Sequence, residues 1–364
     1  MTLIFLVILA ALVFTYINGF HDTANSIATV VATKVLSPRQ AVALAAVTNL
    51  GGAFAGTAVA TTIASGLVEP KIATSEILIC ALLAAIIWNL LTWWFGMPAS
   101  SSHALVGGLC GACLAAANND WGVLIWSVPS HEHWWEGTGL LWKVIAPMIL
   151  SPVCGLVFGF LVMGVLYFLL RNWRPTTVNK TFGKLQLLSS AYMGFSHGTN
   201  DAQKTMGIIA LALLTGTSSG VFDQLPGWLS FLRSAPPQGN QPLEIAAWIK
   251  VLCALTMCAG TAAGGWRIIK TIGHKMVRLH PVHGFAAETT SATILVTAAH
   301  FGMPVSTTHA VTTAIMGVGC AKGLNHLKLD VVERIVWAWI LTIPAAGGVA
   351  YLLVKLAQVA GWIP

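Results

Sequence analysis

The chain has 364 residues, of which 56% are hydrophobic and only 9% charged, with a formal net charge of +7. An ordinary soluble domain carries about 25% charged residues, so this composition excludes a soluble enzyme and describes an all-α polytopic membrane protein, with apolar stretches of about 20 residues that suit the hydrocarbon thickness. The basic surplus is spread over short loops rather than gathered in one patch, which removes nucleic acid as a partner.

In chain order, apolar spans are predicted at about 2–33, 40–65, 76–95, 102–118, 144–170, 186–215, 246–266, 284–300, 304–320 and 335–357. The first, from Leu3 to Phe20, lacks a basic n-region and an A-x-A-like cleavage site, and reads as a retained span. Lys34 and Arg39 follow it. The segment 171–184 carries Arg171, Arg174, Lys180 and Lys184, and 267–280 carries Arg267, Lys270, Lys275 and Arg278, neither with an acid. The loops 66–76, 118–143 and 216–245 are neutral or acidic. Basic and non-basic loops therefore alternate, and the positive-inside rule puts the N-terminus outside. The seven cysteines lie singly in apolar runs; Cys110 and Cys113 form a C-x-x-C with no partner pair and read as packing residues. His131 and His133, beside Trp134 and Trp135, read as a surface segment with zinc binding as a weak alternative.

Three motifs recur in the same order. Residues 19–25 read GFHDTAN and residues 198–204 read GTNDAQK, matching Gly19 with Gly198, Asp22 with Asp201 and Asn25 with Lys204. Residues 48–56 (TNLGGAFAG) and 256–264 (TMCAGTAAG) share a threonine and glycine offsets. Residues 96–104 read GMPASSSHA and residues 302–310 read GMPVSTTHA. Each of these last stretches caps a pair of segments that returns to its own side of the membrane, the first pair from outside and the second from inside. The predicted organisation is thus two inverted-topology repeats, at 1–170 and 186–364, joined by a basic cytoplasmic linker at 171–185. Such repeats place a secondary transporter's site at their interface.

Asp22 is the one charge between residues 1 and 33. An aspartate at mid-bilayer costs about 2.5–3.5 kcal/mol on the insertion scale, so it requires a partner or a task. His21, Asn25 and an unwound helix at Gly19 would make a small cation or proton site around it, and Asn200 and Lys204 accompany Asp201 in the same way. A helix-capping role at the water interface is the bland alternative. The hydroxyl triplets Ser100, Ser101, Ser102 and Ser306, Thr307, Thr308 follow a proline, where a new helix begins. A helix N-terminus with free N–H groups and hydroxyls favours an oxyanion such as phosphate, although a single copy would be an ordinary N-cap. The segment lengths allow either re-entrant or full-span hairpins, the latter with the first loop at an interface beside Trp93, Trp94 and Phe95. His103 and His309 read as hydrogen-bonded structural residues, and Glu288 as either a further carboxylate or a marker of the inner surface.

These residues resemble the inorganic phosphate transporter (Pit) family, whose halves each carry an acidic Asn/His-Asp signature. The matching text is NGFHDTANSIATVVAT at 18–33 and SHGTNDAQKTMGIIALAL at 196–213, with the paired Gly-Met-Pro loops. The resemblance covers essentially the whole chain and is closest to the bacterial low-affinity branch. It implies two inverted repeats with re-entrant hairpins in the plasma membrane and cation-coupled phosphate uptake. Asp22 and Asp201 would be the coupling carboxylates, and the hydroxyl triplets would face the phosphate. Sodium-coupled members typically have a second asparagine where this chain has Lys204. A fixed ammonium there opposes a sodium ion and either neutralises Asp201 or contacts phosphate. The reading is therefore proton-coupled symport, with a neutral metal–phosphate complex as a form of the substrate. Sodium symport and a carrier or channel for another oxyanion remain the alternatives. No nucleotide-binding loop or organic cofactor is expected. A homo-oligomer is compatible with the sequence, which does not specify one.

Overall fold

The computed structural model describes residues 1–129, 137–223, 226–234, 243–265, 268–269, 271, 279–323 and 328–363. The basic residues Arg267, Lys270, Lys275 and Arg278 and the histidines His131 and His133 lie outside the described residues. The principal helices are α1 (Thr2–Ala32), α2 (Pro38–Gly52), α3 (Ala58–Ser65), α4 (Ser75–Trp94), α5 (Ser101–Ala116), α6 (Ala146–Leu170), α7 (Pro175–Ser218), α8 (Ala247–Ala263), α9 (Pro281–His300), α10 (Thr307–Lys322) and α11 (Leu329–Val359). A π-helical turn at Leu141–Ile145 leads into α6. Among the described residues, β pairing is confined to the isolated bridges Val68–Leu124 and Val128–Thr138.

Among the described residues, four stretches are long and apolar enough to cross a bilayer by length and composition: Thr2–Ala32, Ser75–Trp94, Leu141–Leu170 and Leu329–Val359. Three expectations change. The stretch 40–65 is two helices rather than one, because Gly51, Gly52 and Gly56 cluster at the break and glycine weakens a helix interior by about 1 kcal/mol relative to alanine. The Gln203 side chain then accepts from Val59 N–H at 2.9 Å, satisfying a free donor at the start of α3. Most of the predicted linker 171–185 is helical, since α7 starts at Pro175 and runs for 44 residues, about 66 Å. Finally, α5 and α10 have 16 residues each, about 24 Å, which is short of a full crossing.

The repeated Gly-Met-Pro pattern has one local explanation in both places. Gly96 and Gly302 adopt φ of +64° and +65°, the left-handed region that glycine enters without steric cost. Each ends its helix in a Schellman arrangement: Met97 N–H donates to Thr92 O and Met303 N–H to Ala298 O, both at 2.9 Å. Pro98 and Pro304 prevent the helix from resuming. Ser100 and Ser306 then cap the next helix, each Oγ accepting a backbone N–H three residues on, from His103 and His309, at 3.2 Å.

Helix packing is also matched. α1 lies on α8 as α7 lies on α2, and α5 packs on α11 as α10 packs on α6. Glycines set the first two crossings. A methyl group built on Gly19 would stand 2.7 Å from Met257 O and 3.0 Å from Gly260 Cα, and one built on Gly52 would run into the Phe195 carbonyl. Gly51, one residue earlier, faces open space. Gly52→Ala should therefore lower the thermal midpoint of the detergent-purified protein, by an amount corresponding to about 1–3 kcal/mol of overpacking. Gly51→Ala should leave it unchanged or slightly higher.

Candidate functional site

Both hydroxyl loops are buried and touch one another. Ser102 Oγ donates to Val305 O at 3.1 Å, and Thr308 Oγ1 donates to Ala99 O at 2.9 Å, a reciprocal pair between matched positions. All six hydroxyl residues, from Ser100 to Ser102 and Ser306 to Thr308, are about 1% exposed. Neither loop is a surface turn, and Trp94 and Phe95 point away from this junction as exposed side chains.

The acidic motifs of α1 and α7 come to the same place. Asp22 accepts from Ser101 Oγ at 2.6 Å, and Asn25 Nδ2 donates to Thr307 Oγ1 at 3.2 Å and Thr308 Oγ1 at 2.9 Å. α1 thus reaches the first loop through its carboxylate and the second through its amide. Lys204 is fully buried. Its ammonium is bonded to Asp201 Oδ1 and Ser102 Oγ, and to Val305 O at 3.3 Å, so each of its three hydrogens has an acceptor. It neutralises Asp201 and joins α7 to both hydroxyl loops. The helices are continuous through both motifs, so the expected unwinding at Gly19 does not occur. Gly19 serves close packing against α8 instead.

A histidine stands beside each aspartate. Thr92 Oγ1 has Trp88 O at 2.9 Å and His21 Nε2 at 3.1 Å within hydrogen-bond reach. The other ring nitrogen, Nδ1, is 2.8 Å from Asp22 Oδ1, and two such atoms at that distance must share one proton. A second pair is arranged differently. Asn49 Nδ2 donates to Thr261 Oγ1 at 3.0 Å, which leaves Asn49 Oδ1 to accept from His197 Nδ1–H at 3.1 Å. In the neutral ring the lone pair of Nε2 then faces Asp201 Oδ2, 3.2 Å away. Neither of these two atoms has a hydrogen-bond partner. Ligand atoms of Asp22, His197 and Asp201 all lie within 4.8 Å of one another. A proton or cation placed among them relieves the repulsion, and two carboxylates with an imidazole form a donor set for a divalent ion.

Other predicted residues fall outside this cluster. Asn200 Nδ2 donates to Met303 O at 3.3 Å, tying α7 to the second loop rather than to Asp201. Glu288 is buried within the protein. It accepts from Thr29 Oγ1 at 2.5 Å, from Gln186 Nε2 at 3.0 Å and from Ser189 Oγ. Thr29 is seven residues beyond Asp22, about 10 Å along α1. His103 and His309 pack edge to face at 4.8 Å, and His309 lies 4.0 Å from the Trp339 ring. Cys110 and Cys113 are free thiols. The sequence by itself assigns His197 no role. Its i, i+4 spacing from Asp201 was the available signal, whereas Asn49, Thr92 and Thr261 carry none.

Residues 18–350 match the model of the phosphate transporter family. Among curated relatives, a probable low-affinity inorganic phosphate transporter of Bacillus subtilis is 38% identical over 96% of this chain and 97% of its own length. One of Rhizobium meliloti is 40% identical over 95% and 93%, and one of Mycobacterium tuberculosis is 40% identical over 100% and 79%. A solved structure titled the sodium-dependent phosphate transporter superposes with a TM-score of 0.75, covering 99% of this chain and 100% of that one. At 24% identity this likeness speaks for the fold alone. With the family match covering both acidic motifs and both hydroxyl loops, and relatives aligned end to end, this membrane protein belongs to the phosphate transporter family.

Proposed function

We propose that the protein imports inorganic phosphate across the plasma membrane by proton-coupled symport, alternating access around a site between two inverted repeats with the N-terminus outside. The repeat reading is supported by the matched helix crossings and the reciprocal loop contacts. The observation that carries the coupling reading is the meeting of Asp22 and Asp201, one from each half, beside the two hydroxyl loops. Phosphate would exchange into the hydrogen bonds now made by Ser101, Ser102, Thr307 and Thr308 with Asp22, Lys204 and Asn25. The first-turn N–H groups of α5 and α10, capped by Ser100 and Ser306, add the positive ends of two helix dipoles.

The two halves would divide the charge work. Lys204 is a permanent cation at Asp201, so a sodium ion there would compete with an ammonium already in contact. The proton shared by His21 and Asp22 is removable and is the natural coupling species. Glu288, with hydroxyl and amide donors and no cation paired to it among the described residues, would be a second proton or cation station about two turns along α1. The cluster of Asp22, His197 and Asp201 favours one further reading, in which a divalent metal crosses with phosphate as a neutral complex. Sodium coupling, suggested by the name of the structural neighbour, is the outcome that the Lys204 geometry opposes.

Uptake of labelled phosphate into proteoliposomes should follow an imposed pH gradient and proceed without sodium. If a metal–phosphate complex is carried, chelating divalent ions should lower the rate at constant pH gradient. A strict sodium requirement would overturn the coupling assignment. Lys204→Asn should weaken proton-driven uptake and introduce sodium dependence; unchanged coupling in that variant would count against the role given to the ammonium. Asp22→Asn should cut gradient-driven uptake by at least about tenfold, a barrier increase of ~1.4 kcal/mol or more, with the folded yield retained.

A further inference from the structure

Away from the central site, a cavity of about 360 Å³ opens where the ends of four helices converge. Arg171 follows α6, Asn179 lies in the first turns of α7, His280 and His283 begin α9, and Lys322 ends α10. Met163, Leu170, Val178 and Val282 make its remaining wall apolar. No carboxylate is among the described residues that line it. The transport reading uses none of these side chains.

The polar groups of the lining supply positive charge and hydrogen-bond donors. The Arg171 guanidinium sits over the Phe168 ring at 4.8 Å, a cation–π contact that restrains it at the rim. His280 N–H donates to His283 Nδ1 at 3.0 Å, so the neutral His283 ring carries its hydrogen on Nε2. That hydrogen is donated to Tyr167 Oη at 3.0 Å, which leaves the Tyr167 hydroxyl hydrogen available to an acceptor. Two helix N-termini, those of α7 and α9, border the same space. Arg171 comes directly after the apolar stretch Leu141–Leu170, and Trp173 beside it is 48% exposed. That combination, a cation and an indole at the end of a span, belongs at the membrane–water boundary.

We propose that this cavity binds the phosphate headgroup of an anionic phospholipid, with Arg171 and Lys322 holding the charge, Tyr167 donating a hydrogen bond and the apolar wall receiving the glycerol and upper acyl region. The shared chemistry is a phosphate anion, and the apolar wall selects the lipid over free phosphate. Basic pockets between transmembrane helices are suited to anionic headgroups. A lipid seated here bridges α6 to the second hairpin, α9–α10, and stabilises their packing.

The test compares the full-length protein with an Arg171→Gln/Lys322→Gln double variant and with Tyr167→Phe. Arg174→Gln, a basic change outside the lining, serves as the control. Native mass spectrometry counts retained phosphatidylglycerol, and thermal shift in detergent reads its effect against phosphatidylcholine and inorganic phosphate. Phosphatidylglycerol, but not phosphatidylcholine, should raise the thermal midpoint of the unmodified protein and of Arg174→Gln. The double variant should bind phosphatidylglycerol about tenfold more weakly or worse, and Tyr167→Phe should show an intermediate loss. The proposal fails if the double variant keeps the full lipid-dependent shift, or if Arg174→Gln loses as much as the double variant. It also fails if inorganic phosphate protects as well as the lipid with the same dependence on Arg171 and Lys322. These readouts do not depend on transport, so they stand or fall separately from the coupling assignment.

Discussion

A carboxylate removed from water needs a compensating charge or proton, and the centre of this protein is built around meeting that demand twice, by different means. Asp201 has a covalently fixed cation three residues away in Lys204, and the pair is fully buried. Asp22 has no lysine or arginine paired with it among the described residues and is bonded instead to the His21 ring and the Ser101 hydroxyl. Removing one partner from a buried ion pair costs about 3–5 kcal/mol, so the Lys204–Asp201 pair is a permanent part of the architecture. Matched positions in the chain thus carry unmatched electrostatics, and the asymmetry of the site lies at Asn25 and Lys204.

That arrangement depends on backbone approach. α1 and α7 bring their acidic motifs together because Gly19 and Gly260 let α1 and α8 touch, and Gly52 and Gly198 do the same for α2 and α7. The loops depend on a different glycine property, the positive φ of Gly96 and Gly302, which turns each hairpin and delivers a serine N-cap directly after the proline. With each loop capped by its own first serine, the second and third hydroxyls are free to bond across to Asp22, Lys204, Asn25 and the opposite loop. Division of labour within each triplet explains why three hydroxyls are present where one would cap a helix.

Much of this was legible in the chain. Composition alone required helices in a bilayer, because so few charges cannot solvate a globule of this size. The two acidic motifs, their glycine-spaced partners and the Gly-Met-Pro loops were visible as ordered pairs, since each rests on residue types with strong local requirements: left-handed glycine, helix-stopping proline, capping serine and an isolated intramembrane aspartate. What local sequence does not encode is who supplies the partner across the fold. His197 is oriented by Asn49 and Thr261, and His21 by Thr92, residues far away in the chain and unremarkable there. Helix continuity at Gly19 was misjudged for the same reason, because a glycine that breaks a helix and one that admits a neighbouring helix look identical until the neighbour is known. Sequence by itself determined the helical membrane class, the paired motifs and the hydroxyl loops. Only the tertiary structure decided that both loops are buried against each other, that Lys204 spends its three hydrogens on Asp201, Ser102 and Val305, and that Asp22 is bonded to His21 and Ser101. Hydrogen-bond partnership in a water-free interior is set by which helices touch, and that depends on packing rather than on neighbours in the chain.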